Sequence, residues 1–205
     1  MCWEGPLVNM KKRKKEEKII KYYKESLEYI CESMNYIYFI TFIFIAFGVL
    51  GFIFPIFFVD AIKNMIGQLM EQTRGLDTLS LVGFILLNNL KTSFLGLALG
   101  ILFGIIPVVL AIVNGYVLGF VSNSAVFEGG FSSLFKLLPH GIFEIPAIII
   151  GLGLGTKLGI FFFSKNSDKE FMRRVWLSLK VFLLIIIPLL VIAAFIEGSL
   201  IGLLE

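Results

Sequence analysis

Hydrophobic residues run through this chain in five long stretches, separated by short polar or basic segments. An α-helix rises 1.5 Å per residue, so about 20 apolar residues cross a hydrocarbon core of about 30 Å. The pattern therefore predicts an all-α integral membrane bundle of about five transmembrane helices. The predicted spans cover residues 36–58, 82–105, 107–127, 142–163 and 181–204.

The second and third spans come from one apolar region, residues 79–127, in which Lys91 is the only formal charge. This region is too long for one crossing of the membrane. Proline begins a helix well and interrupts one poorly. We therefore expect a helical hairpin that turns near Gly104–Pro107.

Two amphipathic segments flank the first span. Residues 59–73 alternate apolar and polar faces at helical spacing, which predicts a short helix at the membrane interface. Residues 11–34 do the same and begin with a run of lysines. This helix either lies along an anionic leaflet or extends into the cytosol as a solvated helix. Its predicted apolar face consists of Ile19, Ile20, Tyr23, Leu27, Ile30 and Met34.

Composition and charge placement fix the expected topology. Hydrophobic residues make up 58% of the chain and charged residues 16%, whereas a soluble domain carries about a quarter charged residues. Lysine and arginine concentrate before residue 35 and between residues 165 and 180, and cytoplasmic loops are enriched in these residues. We expect a cytoplasmic helix over residues 1–35 and one transmembrane domain over residues 36–205, with the N-terminus cytoplasmic and the C-terminus outside. Cys2 and Cys31 would then lie on the reducing side, which disfavours a disulfide.

With this topology, scattered polar residues fall at one depth near the outer leaflet. His140, the only histidine, and Glu144 stand four residues apart and can share a helix face. Ionisable groups at membrane depth usually face a bundle interior or a watery cavity. Such a network could lock the bundle, relay protons or ions, or form a docking pocket for a partner. Its predicted members are Asn88, Asn89, Lys91, Asn114, Lys136, His140, Glu144 and Glu197.

The same residues argue against most enzyme classes. Catalytic zinc uses three protein ligands, and the chain offers one histidine, with both cysteines expected across the membrane. The sequence has neither a Gly-x-Ser-x-Gly site nor a phosphate-binding Gly-x-x-x-x-Gly-Lys loop. We therefore predict no enzyme, no metal and no cofactor. The basic N-terminal cluster is explained more simply by lipid contact than by nucleic-acid binding.

Glycines recur at four-residue spacing in the predicted spans. Small residues at this spacing let helix backbones approach closely in lipid, either within one chain or between two. The expected helix-packing positions are Gly96, Gly100, Gly104, Gly115, Gly119, Gly141, Pro146, Gly151, Gly155 and Gly159.

One string is specific enough to indicate a family. Pro139-His-Gly-Ile-Phe-Glu-Ile-Pro-Ala147, together with Asn88-Asn89 and Asn114-Gly115, resembles the stage II sporulation protein M family over residues 36–204. The resemblance implies a multi-pass membrane protein of about five helices. In spore-forming bacteria the namesake works with two partners, including a cell-wall hydrolase, as a membrane scaffold. Members also occur outside spore formers, and the basic N-terminal helix is not part of the shared pattern.

Together these observations predict a non-enzymatic membrane scaffold or assembly component. Its expected contacts are membrane lipid, a second copy of itself through glycine faces, and a membrane or envelope protein. The alternative is a small transporter or channel-like module that uses His140 and Glu144.

Overall fold

The computed structural model describes residues 5–161 and 168–204, and the side chains of residues 16–134, 141–161 and 168–199. Within these ranges the chain is helical and contains no strand, so the all-α prediction is confirmed. In the part of the chain that the structure describes, five segments are long and apolar enough to cross a membrane. The helices are α1 (Gly5–Glu32), α2 (Met34–Ile53), α3 (Val59–Thr73), α4 (Thr78–Ala98), α5 (Ile105–Gly129), α6 (Leu134–Ile160), α7 (Asp168–Val181) and α8 (Ile187–Leu204).

The first span is shorter than the sequence predicts at its C-terminal end. Helix α2 ends at Ile53, because the residue before Pro55 is disfavoured in the α conformation. Side chains from α5 then satisfy the free backbone groups. The Tyr116 hydroxyl donates to the Phe54 carbonyl oxygen at 2.8 Å, and the Asn123 amide donates to that of Phe52 at 2.8 Å.

The hairpin between α4 and α5 turns close to the predicted position. A 3₁₀ turn, Leu99–Ile101, follows α4, and Gly104 then adopts a left-handed backbone with φ of 71°. Glycine takes this conformation without a steric penalty. Helix α5 begins at Ile105, so Pro107 lies in its first turn, where its missing N–H costs nothing.

Helix α6 is longer than the predicted fourth span. It begins at Leu134 and continues through Pro139 and Pro146, whereas the predicted span begins only at residue 142. In lipid an unsatisfied backbone group is costly, so a helix that loses one hydrogen bond per proline is preferred to irregular backbone. The backbones of Lys136 and His140 therefore belong to the same helix as Glu144.

Helices α7 and α8 form one long rod. A π-helical turn, Phe182–Ile186, joins them just before Pro188. Proline cannot donate to the carbonyl four residues earlier. A single π turn is the usual way in which an α-helix absorbs such an irregularity.

Two pairs of helices pack backbone to backbone through glycine. A Cβ on Gly119 of α5 would collide with the carbonyl oxygen of Gly48 on α2. A Cβ on Gly155 of α6 would likewise collide with the carbonyl oxygen of Gly96 on α4. These glycine faces are thus occupied within one chain. Of the other predicted packing positions, Gly141 meets only Ile145 of its own helix, and Pro146 is exposed.

Candidate functional site

A polar cavity of about 1010 Å³ opens between α3, α4, α5, α6 and α8. Most of its wall is apolar, including Leu69 and Met70 of α3 and Phe84 of α4. The polar residues of the wall are Glu71, Thr73, Arg74, Asn88, Asn89, Asn114, Glu144 and Glu197.

Five of the eight residues predicted to form a polar network line this cavity. They come from four helices: Asn88 and Asn89 from α4, Asn114 from α5, Glu144 from α6 and Glu197 from α8. Successive membrane helices alternate in direction, which brings positions far apart in sequence to one level. Lys91 is exposed and does not line the cavity. The side chains of Lys136 and His140 lie outside the described residues.

The amide and carboxyl groups of this wall lie close enough to interact with one another. Asn89 is buried, with 7% of its surface exposed, and is positioned to donate to the Glu144 carboxyl. Glu197 brings a second carboxyl group near the first. The Asn114 amide donates to the Leu110 carbonyl oxygen at 2.7 Å, which leaves its own oxygen available as an acceptor. The wall therefore offers a concentration of hydrogen-bond acceptors at membrane depth.

The contribution of α3 to this cavity could not be predicted from the sequence. Ile62 on its apolar side packs against Tyr116 and Phe120 of α5. This contact holds the helix over the cavity mouth, where Glu71 and Arg74 join the wall. The amphipathic pattern predicted a helix at the interface, but it did not indicate which other helices its polar face would meet.

The cavity ends on a packed apolar floor. Phe44 and Ile148 line it and also belong to a hydrophobic cluster that continues away from it along α2 and α6. The cluster includes Ile37, Ile40 and Leu152, of which the last two are fully buried. The cavity therefore opens toward one end of the bundle.

The other end holds a second polar site, the Lys157 cluster, which consists of Tyr29, Glu32, Ser33, Lys157 and Arg173. The Lys157 side chain is 8% exposed, and its Nζ donates to Ser33 Oγ at 2.9 Å. The same Nζ lies 3.8 Å from Glu32 Oε2 and 4.0 Å from the centre of the Tyr29 ring. Arg173 of α7 donates to both oxygens of Glu32, at 3.1 Å and 3.3 Å.

Sequence reasoning missed Lys157, although a signal for it existed. It is the only charged residue between Glu144 and Lys165, in an apolar, glycine-rich run. A buried lysine requires hydrogen-bond partners and an opposite charge. Its partners belong to α1 and to the start of α2, and nothing in the local sequence connects them to α6.

Ion pairs at this end of the bundle hold α1 against α7. The Lys180 ammonium donates to Glu25 and holds the pKa of that carboxyl below its usual range, so Glu25 is ionised at neutral pH. Burial raises the pKa of the Tyr29 hydroxyl, which faces Ser178 across 3.5 Å. Glu25–Lys180 and Glu32–Arg173 are thus two ion pairs between the same two helices.

Among the described residues, no group of three or more histidine, cysteine, aspartate or glutamate side chains could hold a metal ion.

Comparison with known protein families matches residues 40–200 to stage II sporulation protein M. The chain belongs to this family. The family match includes every residue that lines the polar cavity and leaves out α1. Together with the five apolar helices, family membership identifies an integral membrane protein.

The chain is also similar to a protein of an archaeon. An uncharacterized protein of Methanocaldococcus jannaschii is 40% identical over 118 residues, which cover 55% of this chain and 66% of the relative's length. No solved structure matches the chain. The relative's description adds no activity to what family membership implies.

Proposed function

We propose that this member of the stage II sporulation protein M family is a non-enzymatic assembly component of the cell membrane. It holds a partner protein by receiving a membrane segment of that partner in the polar cavity. The supporting observation is the cavity itself, about 1010 Å³ in volume, with amides and carboxyl groups set in an apolar wall.

The chemistry of the cavity wall indicates which kind of partner segment would bind there. Helices associate in lipid through close packing and interhelical hydrogen bonds rather than through a hydrophobic drive. Leu69, Met70 and Phe84 offer apolar contact, while Asn89 and Glu144 offer acceptors. The occupant is therefore a membrane-embedded segment with a donor group, such as lysine, arginine or asparagine, on an otherwise apolar face.

Orientation follows from the positions of the basic residues. Arg173 and Lys180 of α7, like the N-terminal lysines, lie at the end of the bundle opposite the cavity, and the cytoplasmic side is enriched in such residues. The cavity then opens toward the outside, where the C-terminus also lies. Because the glycine faces are used within the chain, self-association would use the exposed apolar faces, such as that of Phe42 and Ile45 on α2.

Photo-crosslinking in native membranes tests this function. A photoreactive residue at Val121 would lie in the cavity wall, and the same residue at Val113 of the same helix would be 48% exposed outside it. We expect a discrete adduct at position 121 that maps to a donor-bearing membrane segment of one protein. Glu144→Gln should reduce this adduct. Identical adducts at both positions, or only lipid adducts at position 121, would contradict the proposal.

A second candidate function is transport of ions or protons. The two neighbouring carboxyl groups of Glu144 and Glu197 favour it, because membrane carboxylates often mark ion or proton paths. Proteoliposomes containing the purified protein distinguish it from the first. A transporter gives a flux that collapses in Glu144→Gln and persists in Lys91→Met, which changes an exposed residue outside the cavity. An assembly component gives no flux in any of the three proteins. The packed apolar floor at Phe44 and Ile148 favours the absence of flux that is expected of an assembly component.

A further inference from the structure

Helix α1 docks on the bundle through a side other than its aliphatic side. Among its described side chains, Ser26 and Tyr29 are buried, with 0% and 1% of their surfaces exposed, and Ser33, which directly follows the helix, is 0% exposed. These three residues follow helical spacing; Tyr29 faces Ser178 of α7, and Ser33 accepts a hydrogen bond from Lys157. The sequence predicted a helix on an anionic leaflet or in solvent, and it did not predict this contact with the bundle.

The aliphatic side of α1 is left uncovered. Ile20 is 68% exposed and Leu27 is 56% exposed, with Ile19 and Tyr23 beside them at 45% and 43%. Residues at this spacing form one continuous stripe along a helix. A continuous apolar patch on a surface marks an interaction site.

Contacts with α7 place this stripe at the membrane edge. Glu32 pairs with Arg173, whereas Glu25 pairs with Lys180, so the two helices run antiparallel. Moving back along α1 from Glu32 therefore leads toward Val181, where the apolar run of the last span begins. Helix α1 also contacts the π-helical turn Phe182–Ile186, which lies inside that run.

A third side of α1 carries positive charge. The side chains of Lys21 and Lys24 are 73% and 76% exposed, and Lys18 is exposed one turn earlier. Their partners on the same helix, Glu25 and Glu28, stand 4.0 Å and 3.9 Å away, and pairs of this kind contribute little at a surface. Five consecutive basic residues, from Lys11 to Lys15, precede them in the sequence. Anionic lipid headgroups attract such a cluster.

We propose that α1, held beside α7 where the last span enters the membrane, binds an anionic leaflet through the stripe of Ile20 and Leu27 and the adjoining lysines. Its opposite side stays clamped to α7 by Glu25–Lys180 and Glu32–Arg173. This site is separate from the polar cavity, so it stands whether or not the cavity receives a partner. The occupant is the lipid surface, chosen because an apolar stripe bordered by lysines complements both parts of an anionic lipid.

Spin labelling of the full chain in nanodiscs that each hold one copy tests this placement. Labels go at Leu27 or at Glu28, in a background in which Cys2 and Cys31 are serine. These neighbours have similar exposure, 56% for Leu27 and 62% for the Glu28 side chain, and point about 100° apart. Collision with oxygen reports lipid, and collision with a soluble nickel chelate reports water.

With phosphatidylglycerol in the disc, the label at residue 27 should collide more with oxygen, and the label at residue 28 more with nickel. The oxygen preference at residue 27 should shrink in discs of phosphatidylcholine alone and at high salt. Equal access of nickel to both labels would show a solvated helix and overturn the proposal. Protection at residue 27 only in discs that hold two copies would instead assign the stripe to a second chain. Labels at Ile20 and Lys21 repeat the comparison in case one pair disturbs folding.

Discussion

At the scale of single residues, Lys157 shows how a charge is accommodated near the end of an apolar helix. Its ammonium has a hydroxyl, a carboxylate and an aromatic ring around it, supplied by Ser33, Glu32 and Tyr29. Each contact compensates part of the hydration that a buried lysine loses. Because Glu32 also binds Arg173, this one site ties α6, α1 and α7 together.

Removing this ammonium should destabilise the protein. Lys157→Ala leaves Ser33 and part of Glu32 without a donor, and we expect a loss of about 2 kcal/mol. Removing one partner of a buried pair costs about 3–5 kcal/mol, and the half-exposed Glu32 reduces that figure. Thermal unfolding in detergent, followed by circular dichroism, measures the change. Lys91→Ala, at an exposed lysine, should leave the melting temperature unchanged. Equal effects of the two substitutions would show that the Lys157 cluster is not structurally important.

The difference between predicted and missed residues has a physical cause. Asn89, Glu144 and Glu197 could be selected from the sequence because polar groups inside apolar runs are conspicuous, and alternating helices put them at one level. Lys157 stands in an equally apolar run, but its hydrogen-bond partner is 124 residues away. Only the docking of α1 brings that partner to it.

At the scale of helices, close backbone packing sets the arrangement of the membrane region. Gly119 meets Gly48 between α5 and α2, and Gly155 meets Gly96 between α6 and α4. No side chain fits between these pairs, so neither helix can rotate or slide without separating from its neighbour.

A single methyl group at such a contact should therefore be costly. We expect Gly119→Ala to destabilise the protein by about 2 kcal/mol, a typical cost of overpacking, because its Cβ would meet backbone rather than a movable side chain. Gly83→Ala in α4 is the matched control, since a Cβ there has nothing within 4 Å. It should be neutral or stabilising by up to about 1 kcal/mol through helix propensity. The melting temperatures of the Gly119→Ala and Gly83→Ala variants test this prediction. Similar values for the two would contradict the packing argument.

Helices were easier to predict than their ends and faces. Apolar runs of sufficient length indicated five crossings, because lipid permits little except a helix. The end of α2 depends on Pro55 and on the Tyr116 hydroxyl 62 residues away, which the local pattern does not contain. For α1, the pattern indicated a helix and its aliphatic side, but it did not show that Tyr29 would meet α7.

At the scale of the whole molecule, charge is separated along the bundle axis. Arg173, Arg174 and Lys180 stand with α1 at one end, and the acceptor-rich cavity opens toward the other. If each of the five long apolar helices of the described chain crosses once, as we propose, the chain termini lie on opposite sides of the membrane.

Labelling of intact cells tests which end faces outward. In a background without Cys2 and Cys31, Asp77→Cys lies before α4, and Lys169→Cys lies at the start of α7; both residues are exposed. We expect a membrane-impermeant thiol reagent to modify position 77 directly and position 169 only after the membrane is permeabilised. The reverse pattern would place the cavity in the cytosol and remove the support for a partner outside the cell.

The π-helical turn Phe182–Ile186 determines the direction in which Glu197, at the far end of the same rod, points. Such a turn contains one residue more than an α-helical turn of the same height. If these residues formed a plain α-helix, everything beyond them would rotate by about 100°, and Glu197 would swing off the cavity wall. A one-residue deletion inside Phe182–Ile186 should thus be tolerated, whereas the same deletion a turn later should misdirect the carboxyl group.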